Sequence, residues 1–177
     1  MSENIPQGER RDIAAAENHA ALASLKAEGY NILSDLTCVD YLPQGISPRF
    51  DVVYRLMKLD LETGADGGRL EIHCAVDEAP VLRSVQDLWP IADWLEREVW
   101  DMSGVRFRGH PDLRRILMYP EFEGHPLQKT YPAEKTQPLV EYRTEEEAGL
   151  PLEKLPPFGH EEGMPFGRKH LPQSEEN

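Results

Sequence analysis

Apolar positions in the middle of the chain alternate, and then the alternation slips. Phe50, Val52, Tyr54 and Leu56 share one face against Asp51 and Arg55, the period of a strand. From Met57 the phase inverts: Met57, Leu59 and Leu61 become the apolar set while Lys58, Asp60 and Glu62 turn polar, as one inserted residue at a β-bulge would produce. Gly64 to Gly68 then reads as a hairpin turn, because no Lys-Ser/Thr follows to make it a phosphate loop. Leu70, Ile72, Cys74 and Val76 alternate with Glu71, His73 and Asp77, which predicts a strand with one wet face.

Upstream, residues 9 to 28 are rich in Ala, Glu and Leu. Ile13, Ala16, Ala20 and Ala23 step along one face until Gly29 offers a cap, so a first helix is expected there. Residues 30 to 42 carry β-branched and aromatic side chains closed by a Pro43-Gln44-Gly45 turn, a further strand. Downstream, Ser84 opens a short turn and Pro90 stands near the first position of a second helix. Along that helix Leu88, Ile91, Leu95, Val99 and Met102 recur at three- and four-residue steps until Gly104. The predicted class is α+β: an N-terminal helix, an antiparallel sheet of three or four strands, a long helix packed on the sheet, and an extended C-terminal tail.

Composition draws the domain limits. Residues 133–177 hold ten acids against five basic residues and six prolines, and lose all apolar period, so they read as a partner-binding tail. Residues 1–8 read as a disordered N-terminus and residues 9–132 as one domain. A net charge of -13 over 177 residues argues against nucleic acid, which needs a basic face. No apolar run reaches the ~20 residues of a membrane span, and the first residues lack an apolar signal core, so a cytoplasmic protein is expected. Cys38 and Cys74 form no C-x-x-C pair and read as small buried residues, too few to hold an iron-sulfur cluster.

The candidate chemistry is concentrated between Pro90 and Pro132. Glu96, Arg97, Glu98 and Asp101 on the helix lead into Arg106, Arg108, His110, Asp112, Arg114 and Arg115, then His125 and Lys129. Paired carboxylates can split their pKa values for acid/base work, but five basic residues just beyond make pairing within the fold or across an interface the preferred role. Glu121 and Glu123 are the internal partners in reach of the basic turn by sequence. His110 and His125 each stand as Gly-His-Pro, and with His73 match no zinc spacing; turns explain them. The arginines lack a glycine-rich loop that would make a nucleotide site. Trp89, Trp94 and Trp100 are five and six apart and cannot share one helical face, so at least one should anchor something outside the core. No catalytic, cofactor-binding or metal-ligating residue is assigned.

Three segments, Glu96-Arg97-Glu98-Val-Trp-Asp101-Met, Gly109-His110-Pro111-Asp112-Leu-Arg114-Arg115-Ile-Leu and Gly124-His125-Pro126-Leu, resemble in order the motifs of the C subunit of respiratory complex I, the proton-pumping NADH:quinone oxidoreductase. The resemblance covers about residues 10 to 132. This chain departs at Ser103, where the family has a large apolar residue, and at Gln128 and Thr130 in its version of HPLRKD. The resemblance implies a peripheral-arm subunit on the cytoplasmic side of the bacterial inner membrane, with FMN and iron-sulfur clusters in partner subunits. It further implies contact chiefly with the large quinone-site subunit, and NADH and quinone reached only through the complex. Two other readings stand beside it: the same module in a related membrane-bound hydrogenase or other donor:quinone oxidoreductase, and a free-standing hydrolase using Glu98 and His110.

Overall fold

The central strand, β3 (Phe50–Leu59), is paired on both sides. It runs antiparallel to β2 (Ile32–Asp40) and to β4 (Asp66–Val76). Its alternating residues Phe50, Val52, Tyr54 and Leu56 are all buried, facing one core with Leu70, Ile72 and Cys74 of β4. Asp51 and Val53 on the opposite face are covered too, as a central strand permits. This computed structural model describes residues 9–77 and 81–139. The chain divides into two units, residues 1–138 and 139–177, and all described residues but Leu139 lie in the first. The predicted tail therefore falls, beyond Leu139, outside the described residues, as does the N-terminus before Glu9.

The inserted residue expected in β3 is not there: β3 pairs with β4 without a break from Phe50 to Lys58, and the bulge lies one strand away, in β2. Leu33 pairs with Leu56 but Asp35 pairs with Arg55, so Ser34 of β2 is the extra residue, and its Oγ donates to the Arg55 carbonyl at 3.0 Å. A second register shift, in the β3–β4 ladder, falls between Lys58 and Leu59.

The predicted helix over residues 9 to 28 is corrected. Residues Glu9–Ala14 form strand β1, which pairs in parallel with β4, so the four-stranded sheet is mixed, in the order β1-β4-β3-β2. Arg10, Arg11 and Asp12 have charged side chains suited to an exposed edge strand. A short 3-10 turn (Ala15–Glu17) leads to helix α1 (Asn18–Ala27), whose buried face is Asn18, Leu22 and Leu25, not the alanines. Alanine's high helix propensity masked the strand. The C-terminal cap is as expected: Gly29 at φ 102° lets its own N–H reach the Lys26 carbonyl and the Tyr30 N–H reach that of Leu25.

Strand β5 (Val81–Arg83) and strand β6 (Arg106–Arg108), too short to show a period, form a separate parallel pair. Between them runs the long helix α2 (Ala92–Ser103), packed against β2. Its predicted apolar stripe holds in part: Val99 is buried, and Leu88 and Leu95 pack against the core. Ile91 is half exposed, and the buried positions are Ala92, Glu96, Arg97, Val99, Asp101 and Ser103. The helix turns three charged side chains inward, and hydrophobic periodicity cannot register that.

Candidate functional site

A helix end leaves four backbone carbonyls without partners inside the helix. At the end of α2 all four are capped. The Gly104 N–H donates to Trp100 O at 2.9 Å, His125 Nδ1 to Asp101 O at 2.9 Å, the Leu127 N–H to Met102 O at 2.8 Å, and Gln128 Nε2 to Ser103 O at 2.8 Å. The second Gly-His-Pro motif is thus a clasp on the helix terminus, and a carbonyl acceptor fixes the His125 proton on Nδ1. Gly104 makes the close approach feasible. It sits at φ +83°, and a Cβ there would lie 2.6 Å from Gln128 Nε2 and 2.8 Å from His125 Cδ2.

The first motif is bound one turn earlier. Asp101 is fully buried, and its Oδ2 accepts the N–H groups of Ile116, Leu117 and Met118 at 3.0, 2.8 and 2.8 Å. Arg115 Nη1 meets its other oxygen at 2.6 Å, while Nη2 donates to Phe122 O at 2.7 Å and Gly124 O at 3.0 Å. Arg97 Nε reaches the Arg114 carbonyl at 3.2 Å. Burial alone would raise the Asp101 carboxyl, but the Met118 N–H, the Arg115 guanidinium and the N–H groups of Leu117 and Ile116 outweigh it and leave the pKa below the usual value. One carboxylate therefore organises the whole 115–124 loop.

His110 is held at the other end of the helix. Its Nδ1 accepts the Asp112 N–H at 3.1 Å, so the proton is on Nε2, 3.2 Å from both the carbonyl and Oδ1 of Asp93. Glu96 is buried between these two locks. Its Oε1 accepts the Val85 N–H at 2.7 Å, Oε2 has no hydrogen-bond donor among the described residues, and burial pushes its pKa up to about 7. Near neutral pH it is poised between a neutral and a charged form.

A further buried carboxylate ties the clasp to the sheet. Asp40, at the end of β2, receives Arg49 Nε at 2.9 Å and Nη2 at 2.7 Å, the Leu42 N–H at 3.0 Å, and the Lys129 N–H at 2.8 Å. The Arg49 bond above all holds its pKa well below the carboxylate range. The departures at Ser103, Gln128 and Thr130 meet here. Gln128 bridges the Ser103 carbonyl to the Thr130 hydroxyl, which in turn lies 3.4 Å from Arg49 Nη2. Ser103 also packs beside Cys38, whose thiol is pushed up to about 12 by burial, as is that of Cys74.

Of the residues singled out by sequence, Glu96, Arg97, Asp101, His110, Arg115 and His125 are brought together inside this chain rather than turned outward. The internal partner of the basic turn is Asp101, not Glu121 or Glu123; Glu123 instead pairs with Lys135 at 3.2 Å. Glu98, Arg106, Arg108, Asp112, Arg114 and Lys129 are exposed, with Arg114 paired to Asp112 at 2.8 Å. Glu98 and His110 make no hydrogen bond or ion pair with one another. His73 pairs with Asp51 at 2.7 Å, so the three histidines serve three separate places. Trp89 is buried, Trp100 half-buried, and Trp94 is 57% exposed under the Arg97 guanidinium, the outward tryptophan expected from the spacing. Sequence reasoning missed Asp40, Asn18 and the Asp51–His73 pair. Asp51 and His73 stand at polar positions of the alternation in their strands, so the pattern gave no signal for their pairing.

Fold and site together define an α+β protein in which two Gly-His-Pro segments and a charged helix build a single clasp. The family model for "Respiratory-chain NADH dehydrogenase, 30 Kd subunit" matches residues 12–137, and the chain belongs to that family. It is 46% identical over 121 residues to NADH-quinone oxidoreductase subunit 5 of Thermus thermophilus, covering 67% of this chain and 58% of that one. It is 38% identical over 156 residues to the C 2 subunit of the NADH-quinone oxidoreductase of Rhizobium etli, covering 82% of this chain and 72% of the relative. A solved structure, "Nqo5 of the trypsin-resistant fragment (1-134) in P63 form", superposes with a TM-score of 0.54 at 39% identity, over 59% of this chain and 81% of that one. The chain spans 58% of the length of the Thermus relative.

Proposed function

We propose that the chain is a peripheral-arm subunit of a proton-translocating NADH:quinone oxidoreductase on the cytoplasmic side of a bacterial inner membrane. It holds the large quinone-site subunit in place and carries no flavin or cluster itself. FMN and iron-sulfur clusters belong to partner subunits, and NADH and quinone are met only through the complex. The observation that carries this reading is the clasp. Glu96, Arg97, Asp101, His110, Arg115 and His125 bond to one another and to backbone, so their effect is to present a fixed surface on which Trp94, Ile91 and Leu117 stand exposed. A half-buried thiol, Cys38, and a buried one, Cys74, both pushed up to about 12, are poor cluster ligands, which supports placing the clusters elsewhere.

Complementation tests it. Membranes from a strain lacking the chain should regain NADH:quinone reductase activity with the wild type and with Arg114→Ala, and not with Asp101→Asn. Restored activity with no chain supplied would refute the role. Stoichiometric flavin or iron in the purified chain would refute its cofactor-free status.

A further inference from the structure

Among the described residues, Arg10, Arg11, Arg49, Arg55, Arg69, Arg114 and Arg115 each lie within salt-bridge distance of a carboxylate. Arg97, which donates instead to the Arg114 and Arg115 carbonyls, does not, and neither do Arg83, Arg106 and Arg108, in a chain whose net charge is -13. The fold places those three together. In the parallel β5–β6 pair Arg83 is the register partner of Arg108, and Arg106 lies two residues before Arg108. The alternation on both strands buries Leu82 and Phe107 and leaves the three arginines and Val81 on the opposite, exposed face. Like charges directly opposite one another destabilise a sheet, so the arrangement works against the isolated fold. The position is also fixed from behind. Buried Asn18 donates Nδ2 to the Arg83 carbonyl at 2.8 Å and accepts the Arg83 N–H at 3.3 Å, and the Ser84 N–H donates to Arg108 O at 3.0 Å. Asp87, the carboxylate that feels the charge of Arg83, is already hydrogen-bonded to His19 at 2.9 Å.

Beside this basic face lies a groove of about 450 Å³, whose lining includes Arg83 and Arg108, the polar side chains of Asn18 and His19, and the small side chains of Ala15 and Ala16. We infer that the groove and its arginines form a docking site for an extended acidic segment of a neighbouring subunit, with carboxylates at alternate positions, which share one face of an extended chain, on the arginines. Alternate residues of a strand stand roughly 6.6 Å apart, the same interval that separates Arg106 from Arg108 along β6. A guanidinium fork pairs bidentately with a carboxylate, whose negative charge offsets the like-charge repulsion. The inference rests on the proposed function only in placing the neighbour in the same membrane complex.

Zero-length coupling with carbodiimide tests it, because that reagent joins an amine to a touching carboxylate and leaves arginine unreacted. The variants Arg83→Lys and Arg108→Lys keep the charge and supply the amine. In the purified membrane complex the expected product is an amide from position 83 or 108 to an Asp or Glu of another subunit, located by mass spectrometry. The double variant Arg83→Glu/Arg108→Glu, with an unchanged melting midpoint, should fall at least tenfold in its share of the complex. A complex that contains the Lys variants yet yields no cross-link, or one only to this chain or a second copy, overturns the inference. Wild-type incorporation of the charge-reversed variant does so as well. If the wild type binds anionic vesicles, the charge-reversed variant does not, and no cross-link forms, the face is a membrane contact and the inference falls. A chain absent from every membrane complex would instead refute the proposed function, and the docking site with it.

Discussion

Asp101 takes four donors, Arg115 and the N–H groups of residues 116 to 118, so its removal should be felt far from the helix. Asp101→Asn leaves a buried guanidinium without its charge, and about 3–5 kcal/mol of stability should be lost. Arg114→Ala, which breaks only a surface pair, should cost under about 1 kcal/mol by the same denaturant titration. Because the folded Asp101 pKa lies below 3.8, its contribution is complete above pH 3.8 and fades as pH falls through the folded value. Glu96 has the opposite sign. Its folded pKa of about 7 exceeds the reference 4.5, so its contribution is complete below pH 4.5 and is lost as pH rises through 7. Glu96→Gln keeps an acceptor for the Val85 N–H and cannot ionise. Relative to wild type it should therefore gain about 2–3 kcal/mol between pH 4.5 and pH 8, and a constant difference across that range would show that Glu96 does not titrate there. The sequence marked both acids as important, yet spacing alone could not say that they face inward, because their partners come from turns 11 to 17 residues away.

Among the elements, legibility followed period and length. Strands β3 and β4 and the cap at Gly29 could be read directly, since two-residue alternation and a left-handed glycine are local signals. β1 could not: its six residues are mostly exposed and alanine-flanked, and only the edge of β4 makes them a strand. The α2 stripe was incomplete because the core-facing side also includes Glu96 and Asp101, which count as polar in any periodicity. The clasp itself was visible only as two Gly-His-Pro motifs; that the second caps the helix is a tertiary fact. Gly104→Ala tests it. The substitution combines a positive φ with a Cβ under 3.0 Å from His125 and Gln128, and should lower stability by more than the ~1 kcal/mol of a strained backbone alone. Loss of protection of the Leu127 amide in hydrogen exchange would locate the damage at the clasp, whereas retained protection would place it elsewhere.

For the molecule entire, the fold gives a unit ending at Pro138, close to the end of the family match at residue 137. The last described residues are tied back to it. Gln137 accepts the Glu123 N–H at 2.9 Å, and Tyr119 donates to the Pro138 carbonyl at 3.1 Å. Composition had set the domain limit at Pro132, where apolar period stops, because hydrogen bonds made by a polar strap leave no hydrophobic trace. A unit braced in this way is suited to work as a fixed surface within a larger oxidoreductase. Affinity purification of the tagged chain from its native membranes, assayed for NADH:quinone reductase activity and identified by mass spectrometry, decides whether it does. The large quinone-site subunit should co-purify together with the activity, both lost with Asp101→Asn and both kept with Arg114→Ala; recovery of the chain alone, or with a complex lacking an NADH-oxidising subunit, would contradict that role.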